Sequence, residues 1–409
     1  MISAVAYIAM HTSPLSQPGE GDAGGMNVYL DQLSRTMAGR GIDITVFTRR
    51  VDPNTPVVTE VQARYNVVQI EAGPVAPIAI PAMRRYAGDF ASGVERWIRS
   101  EGTFPDIVHS HYWLSGRCGV RLKDSLGIPL ANSFHTLGKV KDAARTDSES
   151  ASSAERLLTE QEVISRSDCV IASTPYEFDD LLEHYGASPE RLCVSPPGVD
   201  HDIFHPGDKQ EARRRLGFTD QHIVLFAGRV QAHKGTDIAV QALSHLATRD
   251  APNTTNTVLH IVGGASGRDG DDELNRCYNT IAQHDLTDDV RFFDPIPHHE
   301  LADHYRAADV VIVPSRSESF GLVAAEAQAC GTPVVAANTG GLPYVVAASE
   351  SGLLVDHHDP RAFAVAIAAI LDHPSFAERL AAGGVTFSRS FSWDSTAERL
   401  LELYGGLVA

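Results

Sequence analysis

The chain has 409 residues, too many for one compact core and enough for two domains of roughly 200 residues each. Hydrophobic residues make up 43% of the sequence and charged residues 21%, a balance that excludes a largely disordered chain. The formal net charge of −18 argues against a nucleic-acid-binding surface and against attraction to an anionic membrane.

Short apolar runs rich in β-branched residues alternate with helix-like patterns along the whole chain. In the first half, these runs predict strands at residues 4–10, 42–48, 66–70, 107–111, 130–134, 169–173 and 192–195. The pattern over residues 26–39 predicts a helix that places Tyr29, Leu30, Leu33 and Met37 on one face. Runs that are apolar at consecutive positions are typical of parallel strands buried on both faces.

A second series of strands follows a segment rich in proline and glycine at residues 195–208. Its members are predicted at residues 223–227, 258–262, 290–293, 310–313, 334–337 and 353–355. The alternation predicts an α/β fold of two Rossmann-like, doubly wound domains, at residues 1–197 and 198–390, which face a central crevice. Residues 391–409 are predicted to form a helix, capped by Ser392 or Asp394, that returns to the N-terminal domain.

The first candidate motif, GDAGGMNVY at residues 21–29, lies between the first strand and its helix. Gly24 and Gly25 would let a diphosphate approach backbone amides at the helix N-terminus. A plain turn that needs positive φ is the alternative, since a bare glycine pair is weak evidence of a ligand. The dinucleotide fingerprint GxGxxG is absent from this motif.

Two further motifs lie at strand ends of the second domain. Arg229 and Lys234 follow its first strand, where two cations could hold a departing diphosphate; two solvated loop cations are the alternative. In ESFGLVAAE, residues 320–322 would begin a helix, and their free backbone amides would face a phosphate. Glu318 at the helix mouth and Glu326 about two turns further in could each bind hydroxyl groups of a ligand, or form a solvated pair.

Polar aromatic residues end several strands of the first domain and are expected to converge on the crevice: His11, His109, His111, Tyr112 and His135. We expect His109 to be a hydrogen-bonded core histidine, whereas Tyr112 and His135 are candidate site residues. No cysteine, aspartate or glutamate completes a metal-ligand spacing with these histidines, so we expect no metal and no cofactor.

The five cysteines form no close pair, which suits a reducing compartment. The apolar run at the N-terminus lacks a basic start and a small-residue cleavage site, and no run of about 18 apolar residues occurs. We therefore expect a soluble, cytoplasmic protein without membrane insertion.

With these motifs in view, the chain resembles the retaining glycosyltransferases of GT-B fold that carry a Glu-x7-Glu signature, here Glu318 to Glu326. The stretches at residues 10–29, 107–116, 134–141 and 317–337 are more closely similar to the actinobacterial inositol-phosphate N-acetylglucosaminyltransferase family of mycothiol biosynthesis. The resemblance covers essentially the whole chain. It implies metal-independent hexosyl transfer of an N-acetylglucosamine-like sugar, from a UDP-sugar rather than a GDP-sugar, to a small polar acceptor such as inositol phosphate.

The resemblance also implies a role for each matching residue. The donor would be bound by Gly24, Gly25, Phe320, Gly321, Leu322 and Glu326. The residues implied to act at the donor sugar and departing phosphate are His135, Arg229, Lys234 and Glu318. The acceptor would be bound by Asn27, Tyr112, Thr136 and Arg156.

The chain departs from this family at Ile80, where colinear alignment expects a lysine that binds the acceptor's phosphate. Loss of a charged hydrogen bond costs about 1.5–3 kcal/mol. Either Arg84 or Arg85 replaces the lysine from a neighbouring turn, or the acceptor lacks the phosphate. The second case leaves open an unphosphorylated polyol, an aminocyclitol or a small thiol in specialised antibiotic metabolism, with a GDP-sugar as a further donor option.

Two other enzyme classes share this architecture. A nucleotide-sugar epimerase would turn over the donor without an acceptor. A nicotinamide-dependent oxidoreductase would need an acidic residue near the end of the second strand, but that strand ends TVFTRR at residues 45–50. A homodimer is expected only because it is the commonest assembly.

Overall fold

The structure is a computed structural model that describes residues 2–146, 150–218, 220–248, 256–265 and 270–409. Its strands form two separate sheets, one from each half of the chain. The predicted α/β class with two doubly wound domains is confirmed.

The first sheet belongs to the N-terminal half. Its strands are β1 (Ala4–Ile8), β2 (Asp43–Arg49), β3 (Val58–Gln62), β4 (Tyr65–Ile70), β5 (Ile107–His111), β6 (Leu130–Ser133), β7 (Cys169–Ala172) and β8 (Leu192–Val194). They lie in the order β3-β4-β2-β1-β5-β6-β7-β8, and only the β3–β4 pair is antiparallel. The helices of this half are α1 (Gly25–Gly39), α2 (Ile80–Met83), α3 (Ala87–Glu101), α4 (Trp113–Leu126), α5 (Gly138–Ala143), α6 (Ala154–Arg166) and α7 (Pro175–Tyr185).

The second sheet is parallel throughout. Its strands are β9 (His222–Ala227), β10 (Thr257–Val262), β11 (Val290–Phe293), β12 (Val310–Val313), β13 (Val334–Ala337) and β14 (Gly352–Val355), in the order β11-β10-β9-β12-β13-β14. The helices are α8 (Lys209–Leu216), α9 (Thr236–Ala247), α10 (Gly270–Gln283), α11 (His298–Ala307), α12 (Leu322–Ala329), α13 (Leu342–Val345), α14 (Pro360–Leu371), α15 (Pro374–Ser388) and α16 (Trp393–Val408). None of the helices in the described ranges has both the length and the apolar character needed to cross a bilayer.

Every predicted strand occurs, with its ends displaced by no more than about two residues. The prediction missed β3, an antiparallel edge strand that is exposed or only half-buried along its length. A strand in that position needs no continuous apolar run, and the run is the signal that revealed the other strands.

The last helix packs against the first domain. Trp393, Leu400 and Tyr404 of α16 are buried in the same apolar cluster as the inner face of α1. The Ser392 hydroxyl caps α16 by accepting a hydrogen bond from the Ser395 amide at 3.1 Å. Asp394, the other cap considered, forms an ion pair with Arg40 instead.

The chain crosses between the two domains twice, and the two passages touch. The Val199 amide donates to the Phe391 carbonyl at 3.3 Å, and the Thr396 hydroxyl donates to the Pro196 carbonyl at 2.8 Å. A Cβ at Gly198 would lie 2.2 Å from the Trp393 nitrogen, so the close approach of the two passages requires glycine there.

Candidate active site

A cavity of about 440 Å³ lies between the two domains, at the carboxyl ends of their parallel strands. Loops from both domains line it. The residues singled out in the sequence that line it are Gly24, Gly25, Tyr112, His135, Thr136, Arg156, Arg229, Lys234, Glu318, Phe320, Gly321, Leu322 and Glu326. The crevice expected from the two sheets is therefore present and brings these residues together.

Asn27 is not among the residues that line the cavity. Its side chain is buried, and its amide nitrogen donates to the Thr12 hydroxyl at 2.8 Å and to the Ser13 carbonyl at 2.6 Å. Its side-chain oxygen accepts from the Gly24 amide at 2.9 Å. Asn27 thus fixes the loop before α1 and leaves no amide proton for a ligand.

Gly24 and Gly25 bring the first domain close to the second. Gly24 has an extended φ of −167°, and neither glycine has a positive φ, so the turn explanation is wrong. A Cβ at Gly24 would lie 3.4 Å from the Arg229 Nε, and a Cβ at Gly25 would lie 3.4 Å from the Leu322 Cδ1. A methyl group would just contact the other wall of the cavity at either position, and a larger side chain would meet it.

The cationic side of the cavity combines Lys234 with Arg229. The Lys234 ammonium lies 2.7 Å from Glu318 Oε2, which also accepts from the Ser315 hydroxyl at 3.3 Å. The Arg229 guanidinium is half-buried, and burial lowers its pKa. Within the described ranges it makes no hydrogen bond or ion pair. Lys234 is therefore paired with a carboxylate, whereas Arg229 faces the cavity without an ion-pair partner among the described residues.

The start of α12 faces the same space. Its N-cap, Gly321, has a φ of +107°, a left-handed conformation that favours glycine, and no side chain caps the helix. The amides of the first turn, which begins at Leu322, have no partner within the helix and are available to an anion. Glu326 lies about one turn into this helix, not two as expected, because the helix begins four residues after Glu318.

Glu326 is held in place by two neighbours. One carboxylate oxygen lies 2.7 Å from the His298 Nε2, and the other accepts from the Tyr305 hydroxyl at 3.0 Å. Burial disfavours the charged form of His298, but the Glu326 carboxylate outweighs this and raises the pKa of the imidazole. His298 lines the cavity, and the sequence motifs gave no sign of it except its place just after the loop at residues 294–297.

His135 lies at the junction of the domains with a φ of +58°, an uncommon conformation for this residue type. Its Nε2 lies 2.9 Å from the His111 Nδ1, and its carbonyl accepts from the Ser319 hydroxyl of the second domain at 2.7 Å. Burial lowers the pKa of His135 to about 3, so the imidazole is neutral at physiological pH.

The other histidines of the first domain divide into two groups. His109 is a buried core residue whose two ring nitrogens contact the Tyr404 hydroxyl at 2.6 Å and the Ser133 hydroxyl at 3.0 Å, as expected for a satisfied histidine. His111 lies behind His135 and does not line the cavity. His11 does line it, and burial lowers its pKa to about 3.

Another part of the cavity wall is formed by Tyr112, Thr136, Arg156 and Ile80. The Arg156 Nε lies 2.8 Å from the buried carboxylate of Glu160, and its Nη2 donates to the Thr136 carbonyl at 2.9 Å. Its guanidinium carbon lies 5.4 Å from the centre of the Tyr112 ring. Ile80 contributes an apolar side chain to this wall.

Arg84 and Arg85, the two proposed replacements for the missing lysine, do not line this cavity. Both line a second cavity, together with Gly88 of α3 and with Arg117 and Arg121 of α4. Arg156 and Lys141 are the cations of the first domain that line the main cavity, among the residues that the structure describes.

An acidic pair was missed from the sequence. Glu177 and Asp180, near the start of α7, line the cavity from the first domain. Glu177 is buried and accepts from the Ser173 amide at 2.7 Å, and burial raises its pKa to about 7. These two acids lie one turn apart on an amphipathic helix and belong to no recognisable motif, so the sequence does not distinguish them from solvated surface acids.

A contact between the domains closes the donor side. The Gln17 side chain donates to the Ile296 carbonyl at 2.5 Å, and Gly19 lies against Pro295. Pro295 and Ile296 belong to the loop at residues 294–297, and both line the cavity.

Known proteins show the same architecture and sequence pattern. The sequence family described as "Glycosyl transferases group 1" matches residues 208–385, and "Glycosyltransferase Family 4" matches residues 23–203. The D-inositol 3-phosphate glycosyltransferase of Acidothermus cellulolyticus is 44% identical to this chain, covering 99% of the chain and 90% of the relative. The protein of the same name from Thermomonospora curvata is 42% identical, covering 99% and 96%.

Solved structures agree in fold. Sucrose-phosphate synthase from Thermosynechococcus elongatus superposes with a TM-score of 0.91 at 32% identity, covering 99% of both chains. Anabaena Alr3699/HepE in complex with UDP and glucose superposes with a TM-score of 0.77 at 17% identity, covering 100% of both chains. The second likeness concerns the fold alone.

Proposed function

The chain is a glycosyltransferase of GT-B fold in the family that contains the D-inositol 3-phosphate glycosyltransferases, and from this membership we propose its donor, acceptor and site residues. The donor is a UDP-sugar with an N-acetylglucosamine-like hexose. The acceptor is inositol phosphate. The sugar is transferred with retention of its anomeric configuration and without a metal.

The proposed donor site rests on one observation: Lys234, Arg229 and the uncapped start of α12 all face the same cavity. Each favours negative charge, and together they suit a diphosphate whose charge grows as its bond to the sugar breaks. In this proposal Gly24, Gly25 and the backbone of residues 320–322 contact the phosphates. The Lys234–Glu318 pair lets the lysine turn to the leaving group while Glu318 binds sugar hydroxyls.

Transfer needs no protein nucleophile in this mechanism. The acceptor hydroxyl attacks the anomeric carbon from the face that the diphosphate leaves, a C–O bond forms as the other breaks, and a leaving phosphate oxygen takes the hydroxyl proton. The protein supplies orientation and electrostatic stabilisation. Neutral His135 serves as a hydrogen-bonding group that orients the sugar, and its low pKa of about 3 supports this role over that of a charged acid.

Glu326, held by His298 and Tyr305, is proposed to bind the ribose hydroxyls, which UDP and GDP share, with the base near Pro295 and Ile296. UDP itself is proposed from the family resemblance. Structures of Alr3699/HepE with UDP and with UDP-glucose show that this fold can hold a uridine nucleotide. A homodimer stays an expectation drawn from the frequency of dimers alone.

The acceptor is proposed from the names of the relatives and from the residues that form one wall of the cavity. Tyr112, Thr136 and Arg156 would contact the phosphate, and Asn27 acts by holding the loop before α1. Ile80 removes one expected cation. An unphosphorylated acceptor is less well supported, because full-length relatives at 41–44% identity are named for inositol phosphate. The relatives are transferases, which also disfavours the epimerase.

A mass-spectrometric transfer assay tests the proposal. UDP-N-acetylglucosamine is offered with D-inositol 3-phosphate (equivalently L-inositol 1-phosphate, hereafter inositol 1-phosphate), with free inositol and with small thiols in separate reactions. Product from inositol phosphate alone supports the proposal. Product from free inositol or a thiol alone would reject the phosphorylated acceptor, and turnover of the donor to a second nucleotide sugar without acceptor would indicate an epimerase.

A further inference from the structure

A second cavity, of about 500 Å³, lies outside the candidate active site. Four arginines and one glutamate supply its charged lining: Arg84, Arg85, Arg117, Arg121 and Glu155. Pro81 and Gly88 complete it. The roles proposed above for donor, acceptor and leaving group use none of these residues.

The arginines come from two packed helical segments. Arg84 and Arg85 form the 3-10 turn between α2 and α3, whereas Arg117 and Arg121 lie one turn apart on the same face of α4. A Cβ at Gly88 of α3 would lie 2.4 Å from the Arg121 Nη1. The absence of a side chain at Gly88 therefore gives the Arg121 guanidinium the space that it occupies in this cavity.

The four arginines of this cavity have one acidic residue, Glu155, beside them in its lining. Glu155 forms ion pairs with Arg84 and, at 3.5 Å, with Arg117. Arg85 donates to the Ala82 carbonyl at 3.0 Å, and neither Arg85 nor Arg121 forms an ion pair with any residue in the described ranges. All four arginines are exposed, so solvent screens their mutual repulsion, but their grouping around one concave space leaves a net positive site in a chain with a net charge of −18.

We propose that this cavity, which we call the arginine pocket, binds a phosphate monoester. The planar forks of several guanidinium groups match the geometry of phosphate oxygens and can donate to them in pairs. Glu155, which now lies between two of the arginines, would be displaced by the phosphate from part of these contacts. The pocket is thus an oxyanion site separate from the donor diphosphate site.

The arginine pocket adjoins the acceptor end of the main cavity. Pro81 follows Ile80 directly, and Glu155 directly precedes Arg156, so two residues of the pocket are sequence neighbours of residues that line the main cavity. The phosphate monoester therefore comes either from the acceptor itself or from a separate phosphorylated metabolite. Only the first source rests on the proposed function; binding of a phosphate monoester does not.

Calorimetric titration with inorganic phosphate, in the presence of saturating UDP, tests the pocket. The test variant is Arg85→Gln/Arg121→Gln, and its control is Arg96→Gln/Arg99→Gln, which removes the same charge from exposed positions on α3 outside the pocket. We expect the test variant to bind phosphate about 10-fold more weakly or worse, and the control to match the wild-type protein within about 2-fold. Equal affinities in the two variants, or no phosphate binding by the wild-type protein, would overturn the proposal.

Steady-state kinetics then distinguish the two sources. If the phosphate belongs to the acceptor, the test variant raises KM for inositol 1-phosphate about 10-fold but leaves UDP affinity unchanged. If it belongs to a separate metabolite, KM is unchanged while phosphate binding is lost. The wild-type protein could also bind phosphate through these arginines but transfer no sugar to inositol phosphate. That result would reject the proposed acceptor and still support phosphate binding in the arginine pocket.

Discussion

The Ser319 hydroxyl donates to the His135 carbonyl at 2.7 Å, and this hydrogen bond joins the two domains at the cavity. The Thr174 hydroxyl adds a second link by donating to the Ser319 carbonyl at 3.3 Å. Ser319 precedes the start of α12, and His135 carries a strained positive φ. In the proposed mechanism His135 faces the donor sugar and the second domain binds the nucleotide, so this hydrogen bond would couple domain closure to the arrangement of the site.

Ser319→Ala should weaken this closure. A net hydrogen-bond contribution of about 0.5–1.5 kcal/mol corresponds to roughly a 2- to 10-fold loss in kcat/KM for transfer. Because a looser site admits water, the share of donor lost to hydrolysis should rise. Both are measured by following UDP release with and without acceptor. Ser165→Ala, which removes a hydroxyl bonded within α6, is the control and should change neither.

Lys234→Ala should lower kcat by about 100- to 1000-fold, because the departing diphosphate loses a directly facing cation. The variant also leaves Glu318 without the partner that now lies 2.7 Å away. Lys234→Ala/Glu318→Gln separates the two effects, since it removes the unpaired carboxylate but does not restore the cation. Lys139→Ala, at a lysine bonded to the His184 carbonyl, serves as a surface control. A folded Lys234→Ala protein with a near-normal rate would reject the diphosphate assignment.

Glu326→Gln should raise the donor KM and lower the pKa of His298. His298 has a raised pKa in the folded protein, so the pair stabilises the fold fully below the unfolded pKa of about 6.5. That contribution is lost as the pH rises through the folded pKa. The difference in unfolding free energy between wild type and Glu326→Gln should therefore be larger at acidic than at alkaline pH. Denaturant unfolding at several pH values, with NMR titration of the imidazole, measures both.

The sequence predicted what depends on local pattern. Buried parallel strands reveal themselves as apolar runs, and their carboxyl ends carry the site, so Arg229, Lys234 and Glu318 could be placed at one edge before any coordinates. β3 was not predicted, because it is a partly exposed antiparallel strand and therefore has no continuous apolar run.

Contacts between distant segments could not be predicted in this way. Glu326 could be named from its motif, but its partner His298 lies 28 residues earlier on another helix and belongs to no motif. Asn27 has the residue type of a ligand-binding amide, yet its hydrogen bonds go to the loop before α1. Glu177 became a cavity residue only through the packing of α7. Tertiary geometry, not local pattern, decides such cases.

Glu177→Gln should stabilise the protein at alkaline pH. Burial raises the pKa of Glu177 from about 4.5 to about 7, so the folded state resists an ionisation that the unfolded state undergoes freely. Stability should fall as the pH rises from about 4.5 to 7 by at most about 3 kcal/mol from this group, and then stay constant. Glutamine keeps an acceptor for the Ser173 amide and removes the ionisation. Thermal unfolding at pH 5 should show little difference between the two proteins, and at pH 8 the variant should melt higher; an equal gain at both values would contradict the prediction.

Ile80→Lys should restore a cation at the acceptor end of the main cavity. Ile80 is half-buried at the start of α2, and a lysine stem can follow the same apolar wall while its ammonium reaches the cavity beside Tyr112 and Arg156. A charged hydrogen bond is worth about 1.5–3 kcal/mol, so KM for inositol 1-phosphate should fall about 10-fold or more. KM for free inositol should not change. Ile80→Met, similar in size and uncharged, is the matched control.

The position of the acceptor phosphate decides the outcome of this substitution. If the phosphate lies beside Arg156, Ile80→Lys improves binding and Arg156→Gln reverses the gain, because both cations contact the same oxygens. If the phosphate lies in the arginine pocket, the new lysine is without effect, and the loss caused by Arg85→Gln/Arg121→Gln is the same with either residue at position 80. If a separate phosphorylated metabolite occupies the arginine pocket, Ile80→Lys lowers KM for inositol 1-phosphate and the double arginine substitution leaves it unchanged with either residue at position 80.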